Sequence, residues 1–214
     1  MTTVQQRQPH ETVAQKSDEK ILVVARKNLF AVTAPQGFIP INDFRTFEQS
    51  IEQHKEFIWR QAAEVDSTYK QIIPYLIFKH QGKLFLMQRQ EKAGEQRLKN
   101  KYTLGIGGHI REQDLTHSSI FEWSRREFSE EVEYDGTFTI TPIGLVNDES
   151  NAVGQVHTGF VFLLEGTTDR INVKSELKHG SLLTLEQCAQ HFENMETWSQ
   201  LVFSYLEQIF KKYK

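Results

Sequence analysis

Four carboxylates fall within the eight residues of "REFSEEVE", Arg126 to Glu133. On a helix Glu127, Glu130 and Glu131 take positions i, i+3 and i+4 and share one face. Phe121, Phe128 and Val132 form a second stripe about a third of a turn away. The aromatic stripe can dock on a sheet while the carboxylates point along the sheet's edge. Clustered hard oxygen donors suit Mg²⁺ or Mn²⁺, ions that commonly bridge to substrate phosphates. The competing reading is a solvated acidic face, offset by Arg125, Arg126 and an i, i+4 pairing of Arg126 with Glu130. A glycine-rich segment just upstream, "YTLGIGGHI", favours the metal, because glycines let backbone come close to whatever the carboxylates hold.

The elements that must position this face can be read around it. The chain has 214 residues, a formal net charge of -3, 38% hydrophobic and 25% charged residues. That suits one domain of ordinary size with an extension, and argues against a general nucleic-acid binder. Cys188 is the only cysteine, which excludes an intramolecular disulfide and a cysteine-based zinc site. Without a signal-peptide core or a long apolar run, the expected location is cytoplasmic and off the membrane.

Residues 1–18 read as a polar, flexible tail and 19–70 as an extension packed on the core. Within the extension, "KILVVARKNLFAV" reads as a strand, and Phe47, Ile51, Phe57 and Ile58 fall at approximately helical spacing. "QIIPYLIFKH-QG-KLFLMQRQ" predicts two strands across a Gln81–Gly82 turn. "HSSIFEWSRREFSEEVEY" predicts one helix, stopped near Asp135–Gly136. Strands are expected in "TFTITPIGLVN" and "QVHTGFVFLLEG", a capping box at Thr184 and Gln187, and a closing amphipathic helix bearing Leu201, Val202, Tyr205, Leu206 and Ile209. The expected class is α+β, a mixed sheet with helices on its faces.

"GGHIREQD…RREFSEE" resembles the Nudix box, G-x5-E-x7-R-E-U-x-E-E-x-G-U, where U is a bulky apolar residue. Gly108 matches the first Gly, and Arg126, Glu127, Phe128, Glu130 and Glu131 match the R-E-U-x-E-E core. Asp114 stands at the first Glu, eleven residues rather than seven separate it from Arg126, and Glu133 replaces the second Gly. The four added residues amount to about one helical turn. The resemblance covers about residues 71–190, with 71–214 as the domain, and implies an α/β/α sandwich. Residues in "RQAAEVDSTYKQIIPY" faintly resemble a small subgroup described as predicted phosphoesterases.

The resemblance implies a Mg²⁺- or Mn²⁺-dependent hydrolase that cleaves the pyrophosphate of a nucleoside diphosphate linked to another group. It implies Glu127, Glu130, Glu131 and the Gly107 carbonyl as metal ligands, with Arg126 orienting the glutamates. Glu131 and Glu176 are the candidates for general base. Gly108 and Arg89 would face the substrate, and Arg97, Lys99 and Lys101 could meet its phosphates. For the two loop lysines, as for Glu176, a solvated surface role is the plainer account. His109 and His157 read as hydrogen-bonded structural residues, and Trp123 and "GFVFLL" as core.

Two other classes compete with this reading. One is a non-catalytic Nudix-like nucleotide-binding or regulatory module, against which the intact carboxylate core counts. The other is an isomerase of isoprenoid diphosphates, for which Cys188 is poorly placed. A homodimer is compatible with the apolar helices, and no stable nucleic-acid complex is expected.

Overall fold

The computed structural model describes residues 19–30, 34–41, 44–89, 100–115, 119–174 and 177–212. The tail at 1–18, most of the charged loop after Arg89 (with Arg97 and Lys99) and Glu176 lie outside them. Chain order begins β1 (Lys20–Ala25), α1 (Arg26–Leu29), β2 (Gly37–Pro40), α2 (Phe44–His54), β3 (Lys55–Trp59) and α3 (Arg60–Ala63). It continues with β4 (Tyr69–His80), β5 (Lys83–Arg89), β6 (Tyr102–Thr103), β7 (Gly105–Ile106), α4 (Ile120–Glu131), β8 (Val132–Tyr134) and β9 (Phe138–Asn147). The remaining elements are α5 (Ala152–Val156), β10 (His157–Gly166), β11 (Ile171–Val173), β12 (Leu177–Leu183), α6 (Leu185–Ala189) and α7 (Thr197–Lys212).

A mixed sheet runs in the order β12-β5-β4-β10-β9-β2. β10 lies parallel to β4 and antiparallel to β9. The turn from β4 to β5 places Gln81 and Gly82 at φ 47° and 76°, the left-handed pair that a two-residue hairpin requires. β4 is buried along both faces, because each face has its own helical layer. Ile72, Leu76 and Phe78 join Trp123 and Phe128 of α4 and Ile51 of α2 in one cluster. Tyr75 and Ile77 join Val202, Phe203 and Leu206 of α7 in the other. The α/β/α sandwich follows from period 2 in the strand meeting period 3.6 in the helices. α7 packs on the domain, with Tyr205 stacked on Phe38 at 4.2 Å.

Two sequence expectations are corrected. Phe57 and Ile58 do not continue the α2 helix; they lie in β3, where Phe57 pairs with Leu22 and Ile58 with Ile21. A β-branched and aromatic run beside an unpaired strand edge gains more from the ladder than from another helical turn. The α4 helix ends at Glu131 rather than near Gly136 and passes directly into β8, with Val132 extended at φ -132°. Lys174 supplies what a terminal glycine would: its N–H donates to the Glu131 carbonyl at 2.9 Å and its ammonium to that of Ser129 at 2.5 Å. The exposed carbonyls are satisfied without a left-handed turn, so Glu133 is tolerated where the family carries Gly.

Pro74 marks the place where the sheet opens. β1 pairs with β4 only as far as Gln71, and β7 takes over at Leu76. A proline, having no N–H to donate, fits this gap between partners. The chain from Gly107 to Arg111 crosses there. Beyond it Leu22 donates to the Ile110 carbonyl at 2.8 Å and Ile21 bridges Arg111, so β1 of the extension holds the end of this loop. No helix among the described residues is long and apolar enough to cross a membrane.

Candidate active site

The acidic helix is built to present its face at this gap. Ser119 caps α4: its hydroxyl accepts from the Glu122 N–H, and the Glu122 carboxylate accepts from the Ser119 N–H, a reciprocal box that satisfies two otherwise unpaired donors. Phe128 stacks on Phe78 at 5.6 Å and Phe121 meets Phe162 edge-on at 5.5 Å. With that stripe fixed on the sheet, Glu127 is carried to the Gly107–Gly108 backbone. A Cβ added at Gly108 would lie 2.6 Å from Glu127 Oε1, and one at Gly107 would lie 2.4 Å from the Pro74 carbonyl oxygen.

The two glycines therefore fail differently when replaced. Gly107→Ala meets backbone that cannot yield and is expected to cost about 1–3 kcal/mol in unfolding experiments. Gly108→Ala meets a movable carboxylate, so the fold should survive. Displacing Glu127 by about an ångström should lower turnover about 100-fold at an unchanged melting temperature.

Burial and neighbouring charge act on the face unequally. Burial pushes the Glu127 carboxyl up to about 7, and the charges of Glu131 and then Glu130 add to the rise; Arg111 and Arg126 oppose it. Glu131 is half-buried. Glu130 is exposed, with Arg126 Nε 3.6 Å from its carboxylate. The three carboxylates form one anionic field, but their oxygens are not gathered within 4.8 Å of one another in the way those of one other group are. A carboxyl raised by burial and by two neighbouring anions is one whose charged form a cation would favour. A hard divalent cation with oxygen ligands fits such a donor set.

Asp114 has a different task. The Arg126 guanidinium donates to its Oδ1 at 2.7 Å, while the Arg111 N–H at 2.8 Å and Trp123 Nε1 at 3.4 Å reach Oδ2. Burial works against the charge. The Arg111 hydrogen bonds and the charges of Arg111 and Arg126 nevertheless hold the carboxyl below its usual range. Asp114 thus anchors the arginine at the head of the glutamate face, across the added residues. It lies in a 3₁₀ turn, Glu112–Leu115.

Arg89 is engaged by Glu196, Nε to Oε1 at 2.5 Å, an ion pair that ties β5 to the segment before α7. Trp123, Phe160 and Phe162 are core, as expected. Cys188 is wholly buried in the α6–α7 layer and its thiol is pushed up to about 12 by burial, which suits packing rather than nucleophilic chemistry. His109 and His157 are hydrogen-bonded, as expected, His109 Nε2 to Gln71 Oε1 and His157 Nδ1 to the Val153 carbonyl, and in addition their rings approach to 5.4 Å between centroids. Sequence reading took them one at a time. The adjacency of His109 to the Gly-Gly pair was the available signal.

No family model matches the chain, as the lengthened box and the absent glycine would lead one to expect. Among solved structures, the chain is similar to "Tm1382, a putative Nudix hydrolase", at 30% identity and a TM-score of 0.73, covering 89% of this chain and all of that one. The Nudix domain of Shewanella oneidensis NrtR, solved with ADP ribose, is 14% identical. It covers 68% of this chain and 89% of its own at a TM-score of 0.51, a likeness of fold. The chain belongs to the Nudix hydrolase family. A further relative is protein YmaB of Bacillus subtilis (strain 168), 33% identical over 206 residues, which span 90% of this chain and 99% of that protein.

Proposed function

We propose that the protein is a Mg²⁺- or Mn²⁺-dependent hydrolase cleaving the pyrophosphate bond of a nucleoside diphosphate linked to another group. What carries this reading is Glu127: a half-buried carboxyl raised to about 7 by burial and, after it, by two neighbouring carboxylates, and pressed onto Gly108. Glu127, Glu130, Glu131 and the Gly107 carbonyl would hold the cation. When bound, the ion neutralises pyrophosphate oxygens, polarises phosphorus and lowers the pKa of an attacking water. Arg126, fixed by Asp114, sets the position of the glutamate face. Glu131 and Glu176 are the two carboxylates proposed to accept the proton of that water.

The Gly108 backbone would come against the diphosphate, since it has no side chain to hold the substrate away. Arg89, at the end of β5, is proposed to contact the substrate and would exchange Glu196 for phosphate oxygens to do so. The NrtR domain's ligand makes ADP ribose one member of a test panel with nucleotide sugars, dinucleotides and nucleoside triphosphates. At least one of these should release phosphate-bearing products with Mg²⁺ or Mn²⁺ and none with chelator. Glu130→Gln combined with Glu131→Gln should remove that release without lowering the melting temperature. Tight nucleotide binding without turnover in either cation would instead support a regulatory module.

A further inference from the structure

Three side chains that the proposed hydrolysis does not use converge beside the Gly107–Gly108 loop. Among the described residues, Glu64, His109 and His157 form a group of potential metal donors whose ligand atoms all lie within 4.8 Å of one another. They come from distant parts of the chain. Glu64 caps the end of α3 in the extension, His109 follows Gly108, and His157 opens β10. The two Nε2 atoms face each other at 3.3 Å, and Glu64 Oε1 lies 3.9 Å from that of His109.

The orientation of His157 suits ligation. Its Nδ1 lies 2.8 Å from the Val153 carbonyl oxygen, an acceptor only, so that nitrogen carries the proton. In the neutral ring the Nε2 lone pair then points at the other two donors. Gln71 supplies an independent sign. It is fully buried; its Oε1 accepts from His109 Nε2 at 2.7 Å, so in the metal-free protein that nitrogen carries a proton that a bound cation would displace, and its own Nε2 has no hydrogen-bond partner. A buried N–H without a partner is expected where a further acceptor, such as a water held by a metal ion, completes the site.

The donor chemistry distinguishes this group from the glutamate face. Metal–imidazole bonds of about 2.0–2.1 Å at a tetrahedral centre place two nitrogens roughly 3.3 Å apart, the separation seen here. Two imidazoles and a carboxylate are borderline donors that suit zinc, whereas an all-oxygen face suits Mg²⁺. We infer that Glu64, His109 and His157 bind a zinc-class divalent cation, separate from any ion held by Glu127, Glu130 and Glu131. Such an ion joins α3 of the extension to the loop carrying Gly107 and Gly108, adding to the hold that β1 has on Ile110 and Arg111. Three protein ligands leave a fourth position for water or another small donor.

The test is a Zn²⁺ titration of the chelator-stripped full chain by calorimetry, with metal counted after desalting. One zinc ion should remain bound. Its affinity should fall at least about tenfold, equivalent to about 1.4 kcal/mol, in both His109→Gln and Glu64→Gln, and should be unchanged in Glu127→Gln/Glu131→Gln. Circular dichroism checks folding, and Glu64→Gln alters only a partly exposed carboxylate, so that variant decides if His109→Gln misfolds. Binding weaker than about 10 µM in the wild type, or zinc lost in the glutamate double variant but kept in Glu64→Gln, overturns the site. Hydrolysis is not read in this experiment, so either result leaves the pyrophosphohydrolase reading to its own assay.

Discussion

Glu127→Gln is expected to abolish cation-dependent hydrolysis and, at the same time, to make the cation-free protein more stable at pH 8. Charge neutralisation by the ion is worth several kcal/mol, so losing a central ligand should lower turnover about 1000-fold. The stability effect has the opposite sign. Glu127 titrates near 7 in the folded chain against a reference of 4.5, so the native state holds a proton that the unfolded state has already released. Stability from this group is full below about pH 4.5, declines as pH rises towards 7, and stays low above that. Discounted for the partial exposure of the side chain, Gln should recover about 2 kcal/mol at pH 8 and almost nothing at pH 4. Denaturant melts of both proteins across that range, with chelator present, measure the difference directly. A gain that does not depend on pH would place its origin elsewhere.

Asp114→Ala should lower stability by about 2–3 kcal/mol. It removes the carboxylate that accepts from Arg111, Trp123 and Arg126, and leaves Trp123 Nε1 buried without that partner. Arg111 and Arg126 are partly exposed and can turn to water, which keeps the loss below that of a fully buried ion pair. The carboxyl lies below its ordinary range in the folded state, so the sign is the reverse of that for Glu127. Its contribution is present above the unfolded value near 4 and disappears as pH falls through the folded value. The wild-type advantage over Asp114→Ala should therefore shrink only in acid. Freed from its anchor, Arg126 no longer sets the glutamate face, so turnover should fall as well; equal turnover in the variant would deny Asp114 its positioning role.

What could be read from sequence was what depends on local spacing. The carboxylate face, the Gln81–Gly82 hairpin and the Thr184–Gln187 capping box each follow from a period or a pair a few residues apart. Asp114 could be placed in the box by a count forward from Gly108, but its bond to Arg126, 12 residues on, is a contact that no local spacing announces. The end of α4 was missed because its stop comes from Lys174, more than forty residues on, which no local pattern announces. Phe57 and Ile58 were misread for a related reason: helical spacing was present, and an open strand edge at β1 outweighed it. The Glu64–His109–His157 group was out of reach because each member is an unremarkable single residue in its own segment. Only the gap at Pro74 and the extension folding over it bring the three together.

Calorimetric titration of Mn²⁺ into the full chain at pH 6 and pH 8, in buffers of different ionisation enthalpy, tests the role of the acidic face most directly. Tighter binding at pH 8, with close to one proton released per ion at pH 6 and little at pH 8, is the predicted result, and Glu127→Gln should remove both the tight binding and the proton release. Equal affinity and no proton release at the two pH values, or a Glu127→Gln protein that binds like the wild type, would contradict it.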